Sequence, residues 1–114
     1  MKSYNSGNFV LSGDRDWETI DEGVKRKILS YNNELMMVHV CFEKGAIGKR
    51  HHHLHHQISF IESGSFEVEI DNHKRILRQG DSFVVEPDII HGVVALERSS
   101  IIDVFNPIRT DFFD

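Results

Sequence analysis

The chain has 114 residues, a net charge of −5 and a single cysteine. That length suits one domain with its own hydrophobic core and no need of disulfides. The acidic balance argues against a nucleic-acid partner, which needs a basic surface to displace counterions, and no stretch approaches the ~20 apolar residues that span a bilayer.

In chain order, the N-terminal "MKSYNSGNFVLSGDRDW" lacks the apolar core of a signal peptide. Residues 1–23 read as an arm and residues 24–114 as the folded domain. "DWETIDEGVKRKIL" has room for a helical turn at Asp16–Ile20, but an extended arm leading into a strand is the favoured reading. The triplet Lys25-Arg26-Lys27 reads as the polar face or flank of that strand. "LMMVHVCFE" places Met36, Val38, Val40 and Phe42 on one side. Its other side (Leu35, Met37, His39, Cys41) is only mildly polar, so both faces are expected to be covered. Cys41 then reads as a buried, reduced thiol, and the cytoplasm as the expected compartment.

"SFEVEI" alternates Phe66, Val68 and Ile70 with polar residues, the period of a strand with one wet face. "ISFIE", "KRIL", "SFVV", "HGVVAL" and "SIIDVF" are further short runs, punctuated by Gly64, Asp71-Asn72 and Gly80-Asp81. No convincing helical stripe lies between Leu35 and Phe105, and the two prolines, Pro87 and Pro107, sit at strand edges. Many short strands at this spacing indicate an all-β sandwich or barrel.

Five of the eight histidines fall in "HHHLHH", residues 51–56. An expression tag would sit at a terminus, so the run needs another explanation. In an extended strand, residues two apart share a face. His51, His53, His55 and Gln57 then point one way, and His52, Leu54 and His56 the other. His55 has the right parity, yet its role stays open between a supporting contact, a substrate contact and simple exposure. His39 and His73 have no such company and read as structural or solvated.

The spacing Gly45-(five)-His51-x-His53-(three)-Gln57-(six)-Gly64 resembles the first motif of the cupin superfamily, with Gln in place of the usual Glu. "GDSFVVEPDIIHGVVAL" resembles the second motif and contributes His91. It departs from the pattern at Glu86, where Pro is usual, at Asp88 for Gly and at Ala95 for Asn. The resemblance implies a double-stranded β-helix (jelly-roll) cupin barrel. His51, His53, Gln57 and His91 are its implied metal ligands. Three neutral imidazoles and an amide oxygen suit one divalent first-row metal such as Mn, Fe, Ni or Zn.

"GVKRKIL", "LMMVHVCFEKGA", "HHHLHHQISFIESG" and "DVFNPIRTDF" together resemble the small KdgF-type pectin-degradation proteins, from about Gly23 to Phe112. This implies a non-redox, metal-dependent enzyme that converts 4,5-unsaturated monouronates from pectin or alginate lyases into linear keto sugar acids. It carries Asp103, Phe105 and Arg109 over to the substrate-facing end. Parity agrees for the first two, since Ile101, Asp103 and Phe105 share one face of "SIIDVF". A carboxylate there should be buried, with a perturbed pKa and with Arg109, substrate or a metal-held water as its partner. An Fe(II) cupin dioxygenase and a non-catalytic sugar-acid-binding cupin are the rival readings. Phe9, Trp17, Phe112 and Phe113 exceed what so small a domain is expected to bury, so a homodimer is expected, with some of these rings covering a sheet face or edge.

Overall fold

The computed structural model describes residues 3–114. Ten strands follow one another: β1 Glu18–Asp21, β2 Val24–Tyr31, β3 Met36–Phe42, β4 Ile47–His51, β5 His56–Ser63, β6 Ser65–Ile70, β7 His73–Arg78, β8 Ser82–Val85, β9 His91–Ala95 and β10 Ser99–Asn106. The only helical elements among the described residues are 3₁₀ turns at Ser12–Asp14 and Thr110–Phe113. Asp16–Ile20 forms no helical turn; β1 is extended and pairs with β2.

All pairings are antiparallel, in a six-stranded sheet ordered β1-β2-β3-β10-β5-β8 and a four-stranded sheet ordered β4-β9-β6-β7. The jelly-roll expected from the sequence is therefore present. Met36, Val38, Val40 and Phe42 of β3 all point inward and are buried. They meet Phe66, Val68 and Ala95 of the smaller sheet, with Phe42 edge-on to Phe66 at 5.1 Å between centroids. That inward layer is the core, and alternation along each strand builds it.

Turn chemistry follows the local sequence. Asp71 and Asn72 both adopt positive φ (49° and 67°), as the two-residue hairpin between β6 and β7 requires. Gly64, at φ 77°, makes the reversal from β5 to β6, and a Cβ there would strike the Ser99 side chain.

Three expectations need correction. The second face of β3 is not covered: Leu35 and Met37 are exposed, and Cys41 is half-buried, because that side points away from the core. The basic triplet is not one polar face, since successive strand residues alternate. Arg26 turns towards the core side beside Val24, whereas Lys25 and Lys27 lie on the opposite face with their ammonium groups 4.9 and 4.7 Å from the Trp17 ring, Lys27 being buried there and donating to Ser12. Finally, Phe112 and Phe113 are not spare. Phe112 packs on Phe105, and Phe113 stacks on Tyr4 and tilts against Tyr31.

Candidate metal centre

The histidine run is not one strand. β4 ends at His51, β5 begins at His56, and residues 52–55 turn the chain from the small sheet to the large one. The expected alternation survives in the burial from residue 52 to 57, while His51, at the end of β4, is exposed. His52, Leu54 and His56 are exposed, His53 and His55 half-buried, and Gln57 buried. His52 and His56 point to Asp88 and Glu86 at the surface, at 3.8 and 3.3 Å.

His51 faces His91 directly across the β4–β9 ladder, with ring centroids 4.4 Å apart, and His53 lies 4.9 Å from His91. One nitrogen from each of the three lies within 4.8 Å of the other two. Each ring is oriented through its Nδ1, which sits on a backbone carbonyl: His51 on Lys49 at 2.8 Å, His53 on His55 at 3.0 Å, and His91 on Ile89 at 2.9 Å. In the neutral ring Nδ1–H donates there, so the lone pair is left on Nε2. The turn after β8 braces the same loop. Asp88, where the cupin pattern has Gly, takes the glycine-like φ of 65° and donates its N–H to the His53 carbonyl at 2.7 Å.

These residues fit a cation. His91 Nε2 is buried without a hydrogen-bond partner. In that tautomer His53 Nε2 and Gln57 Oε1, 3.0 Å apart, face each other lone pair to lone pair. A metal ion between them removes that conflict, and buried acceptors otherwise need a donor. Burial, with repulsion from neighbouring histidines and Arg109, pushes the pKa of His91 down to about 4; the pKa of His51 is lowered for the same reasons. Both therefore stay neutral, as ligands must.

Gln57 links this cluster to Asp103. Its Nε2 donates to Ser59 Oγ at 2.9 Å and to Asp103 Oδ1 at 3.3 Å, and Ser59 Oγ donates to Asp103 Oδ1 at 2.6 Å. The contacts arise because Asp103 on β10 is in register with Ser59 on β5. Burial pushes the Asp103 carboxyl up to about 6, against the opposing pull of Ser59, Gln57 and Arg109. Its partners thus differ from those expected. Arg109 instead forks onto Asp111, at 3.1 and 2.9 Å, and stacks over Phe105 and Phe112. Phe105 is a core residue, edge-on to His53 at 5.8 Å.

His51, Gln57, His91, Asp103, Phe105 and Arg109 all border one cavity of about 240 Å³ between the sheets. That is below the roughly 300–1,000 Å³ of drug-sized sites, a scale suited to one monosaccharide rather than a polymer. His55 is outside its lining, with a buried, unpartnered Nδ1 and its ring near His53 and Phe105. Half-buried His39 leans on Trp17, and His73 is exposed. Sequence reasoning missed Ser59, although it is in phase with Gln57 and Ile61. It also missed Arg26, which is in phase with Val24 and Ile28 and borders the same cavity. A larger groove of about 520 Å³ on the outer face, beside Trp17, His39 and Glu62, contains no comparable cluster of ligands.

Residues 38–105 match the cupin domain family. The chain is 46% identical over 106 residues to the pectin degradation protein KdgF of Dickeya dadantii, covering 91% of this chain and 96% of that protein. The crystal structure of an RmlC-like cupin from Shewanella frigidimarina superposes with a TM-score of 0.92 at 41% identity, over 95% of this chain and 97% of the other. KdgF from Halomonas sp. gives 0.89 at 42%, over 94% and 99%. The chain belongs to the cupin superfamily and, within it, to the small KdgF-type pectin-degradation proteins.

Proposed function

We propose that this protein converts 4,5-unsaturated monouronates, released by pectin or alginate lyases, into linear keto sugar acids. The observation that carries the reading is the joining of two groups beside one small cavity: a His₃Gln cluster and a carboxyl raised to about 6, bridged by the Gln57 amide. Similarity to KdgF of Dickeya dadantii, named for pectin degradation, supports the substrate class.

The substrate is a cyclic enol ether with an anomeric hydroxyl. Ring opening removes the hydroxyl proton, breaks the bond from the anomeric carbon to the ring oxygen, and leaves an aldehyde and an enolate. Protonation of the alkene carbon then gives the ketone. Atoms and electrons balance within the molecule, so no oxidant is consumed. Asp103, held near neutrality, takes the hydroxyl proton on its carboxylate and returns a proton to carbon. Ser59 and Gln57 fix which way the carboxylate points. Phe105 forms an apolar wall that excludes water beside it, and Arg109 lends positive charge to an otherwise acidic protein. A divalent first-row metal on His51, His53, His91 and Gln57 would supply Lewis-acid polarisation of substrate oxygens.

Incubation with 4,5-unsaturated galacturonate tests this. Ultraviolet absorbance of the alkene should disappear faster than without protein, with no oxygen uptake. Oxygen uptake would instead favour an iron dioxygenase, and binding without turnover a sugar-acid-binding protein.

We also propose that the protein works in the cytoplasm as a homodimer. The half-buried, unpaired thiol of Cys41 suits a reducing compartment. No helix among the described residues is long and apolar enough to cross a membrane. For the dimer, the residues in support differ from those first expected. Met37, Val104, Ile58 and Val84 are successive cross-strand neighbours on the outer face of the large sheet, flanked by exposed Phe60. Such a contiguous apolar stripe suits a partner surface.

A further inference from the structure

We infer that Arg26 is the specificity-determining residue of the site, the group that grips the carboxylate of the substrate; this rests on the uronate reading above. Arg26 belongs to β2 and borders that cavity with His51, His91 and Asp103. Its guanidinium carbon lies 3.7 Å from the Phe112 ring centroid, and that of Arg109 lies 4.4 Å from the same centroid. Two cations thus share one aromatic support beside the candidate metal ligands.

The two guanidiniums differ in what they have left to offer. Arg109 already spends Nε and one terminal nitrogen on the Asp111 carboxylate. Arg26 is tethered only through Nε, to Glu18 Oε1 at 2.5 Å, and its two terminal nitrogens have no acceptor among the described residues. An arginine anchored at Nε and stacked on a ring has its remaining N–H groups fixed in one plane. That end-on fork matches the two oxygens of a carboxylate. The anchoring Glu18 is the cross-strand neighbour of Arg26 on β1, so the edge strand of the large sheet sets the aim of this side chain. An unsaturated uronate bears its carboxylate on the enol ether carbon, so gripping it there orients the ring between Arg26 and Asp103.

The test compares 4,5-unsaturated galacturonate with its neutral methyl ester in wild type and Arg26→Gln. The wild type should prefer the acid. In Arg26→Gln, kcat/KM for the acid should fall roughly 10–100-fold, mainly through KM, as loss of hydrogen bonds to a charged group implies. The value for the ester should change less than about threefold. Equal losses for acid and ester would show a merely structural role and overturn the inference, as would an unchanged acid preference. Arg26→Lys keeps the stem and charge and covers the case in which the Gln variant misfolds. It should still raise KM for the acid by about tenfold, because an ammonium offers no fork, and a wild-type KM would refute the bidentate grip. A wild type with no turnover would overturn the uronate reading itself, whereas turnover without acid preference would overturn only the role of Arg26.

Discussion

Ser59→Ala removes one hydroxyl from a buried position and should change the pH at which the protein works. Ser59 is 2% exposed, and its hydroxyl donates 2.6 Å to Asp103 Oδ1. That bond favours the ionised carboxylate, so it holds down a pKa that burial has already raised to about 6. A hydrogen bond to a charged group contributes about 1.5–3 kcal/mol, and one pKa unit corresponds to about 1.4 kcal/mol. Without the hydroxyl, the Asp103 carboxyl should rise by roughly one to two units, to about 7–8. A metal ion nearby would lower both values, but the difference between variant and wild type keeps its sign. If Asp103 must be ionised to take the hydroxyl proton, activity rises with pH through its pKa. The acidic limb of log kcat/KM should therefore move up by one to two units in Ser59→Ala. At pH 7 the ionised fraction should drop from about nine-tenths to between roughly one-half and one-tenth, and activity should recover near pH 9. The assay is a pH–rate profile on unsaturated galacturonate, with melting temperature as the control for folding. An acidic limb that stays in place in a folded variant would refute the assignment of that limb to Asp103.

Asp103→Asn should retain fold and metal while kcat falls roughly 10²–10⁴-fold, the range for loss of a general acid–base group; a wild-type rate would remove Asp103 from the mechanism. Elemental analysis should find one divalent ion per chain in wild type and in His52→Gln, and much less in His91→Gln, because His52 faces Asp88 at the surface. In metal-free protein, His91 should contribute a loss of stability as pH falls from about 6.5 towards 4. The unfolded histidine takes up its proton first, while folded His91 resists until about pH 4. Asp103, raised from 3.8 to about 6, adds stability over nearly the same range and offsets much of that loss, so the readout is the difference: the urea midpoint at about pH 4.5 relative to that at pH 7 should be higher in His91→Gln than in wild type. Light scattering at micromolar concentration should give twice the 13.2 kDa chain mass, and Ile58→Lys should shift it towards the monomer. A monomeric wild type would rule out the stripe as a dimer contact.

Much of this was legible in the chain because strand periodicity carries the inside–outside decision. β3 and β6 declared their inner residues, and the same alternation set His51, His53 and Gln57 apart from their neighbours. It worked for the histidines even though residues 52–55 form a turn, since the loop keeps an alternating pattern of exposure. What parity cannot supply is a partner on another strand. Asp103 meets Ser59 through the β10–β5 register, and a register is a long-range fact absent from either segment. Arg26 was hidden for a simpler reason: a run of three cations reads as one solvated patch unless each residue is assigned its own face. The aromatic tail likewise looked surplus. Phe112 packs on nearby Phe105, and Phe113 finds cover in Tyr4 and Tyr31, which lie far away in sequence.

The account stands most directly on proton NMR of 4,5-unsaturated galacturonate in deuterated water, with the protein metal-loaded, chelated and reloaded. The loaded protein should erase the vinyl signal well above the protein-free rate and place one solvent deuteron on the former alkene carbon of a linear keto acid. Chelation should stop this, and a divalent first-row metal should restore it. A vinyl signal that decays no faster with the loaded protein than without it would contradict the proposed chemistry.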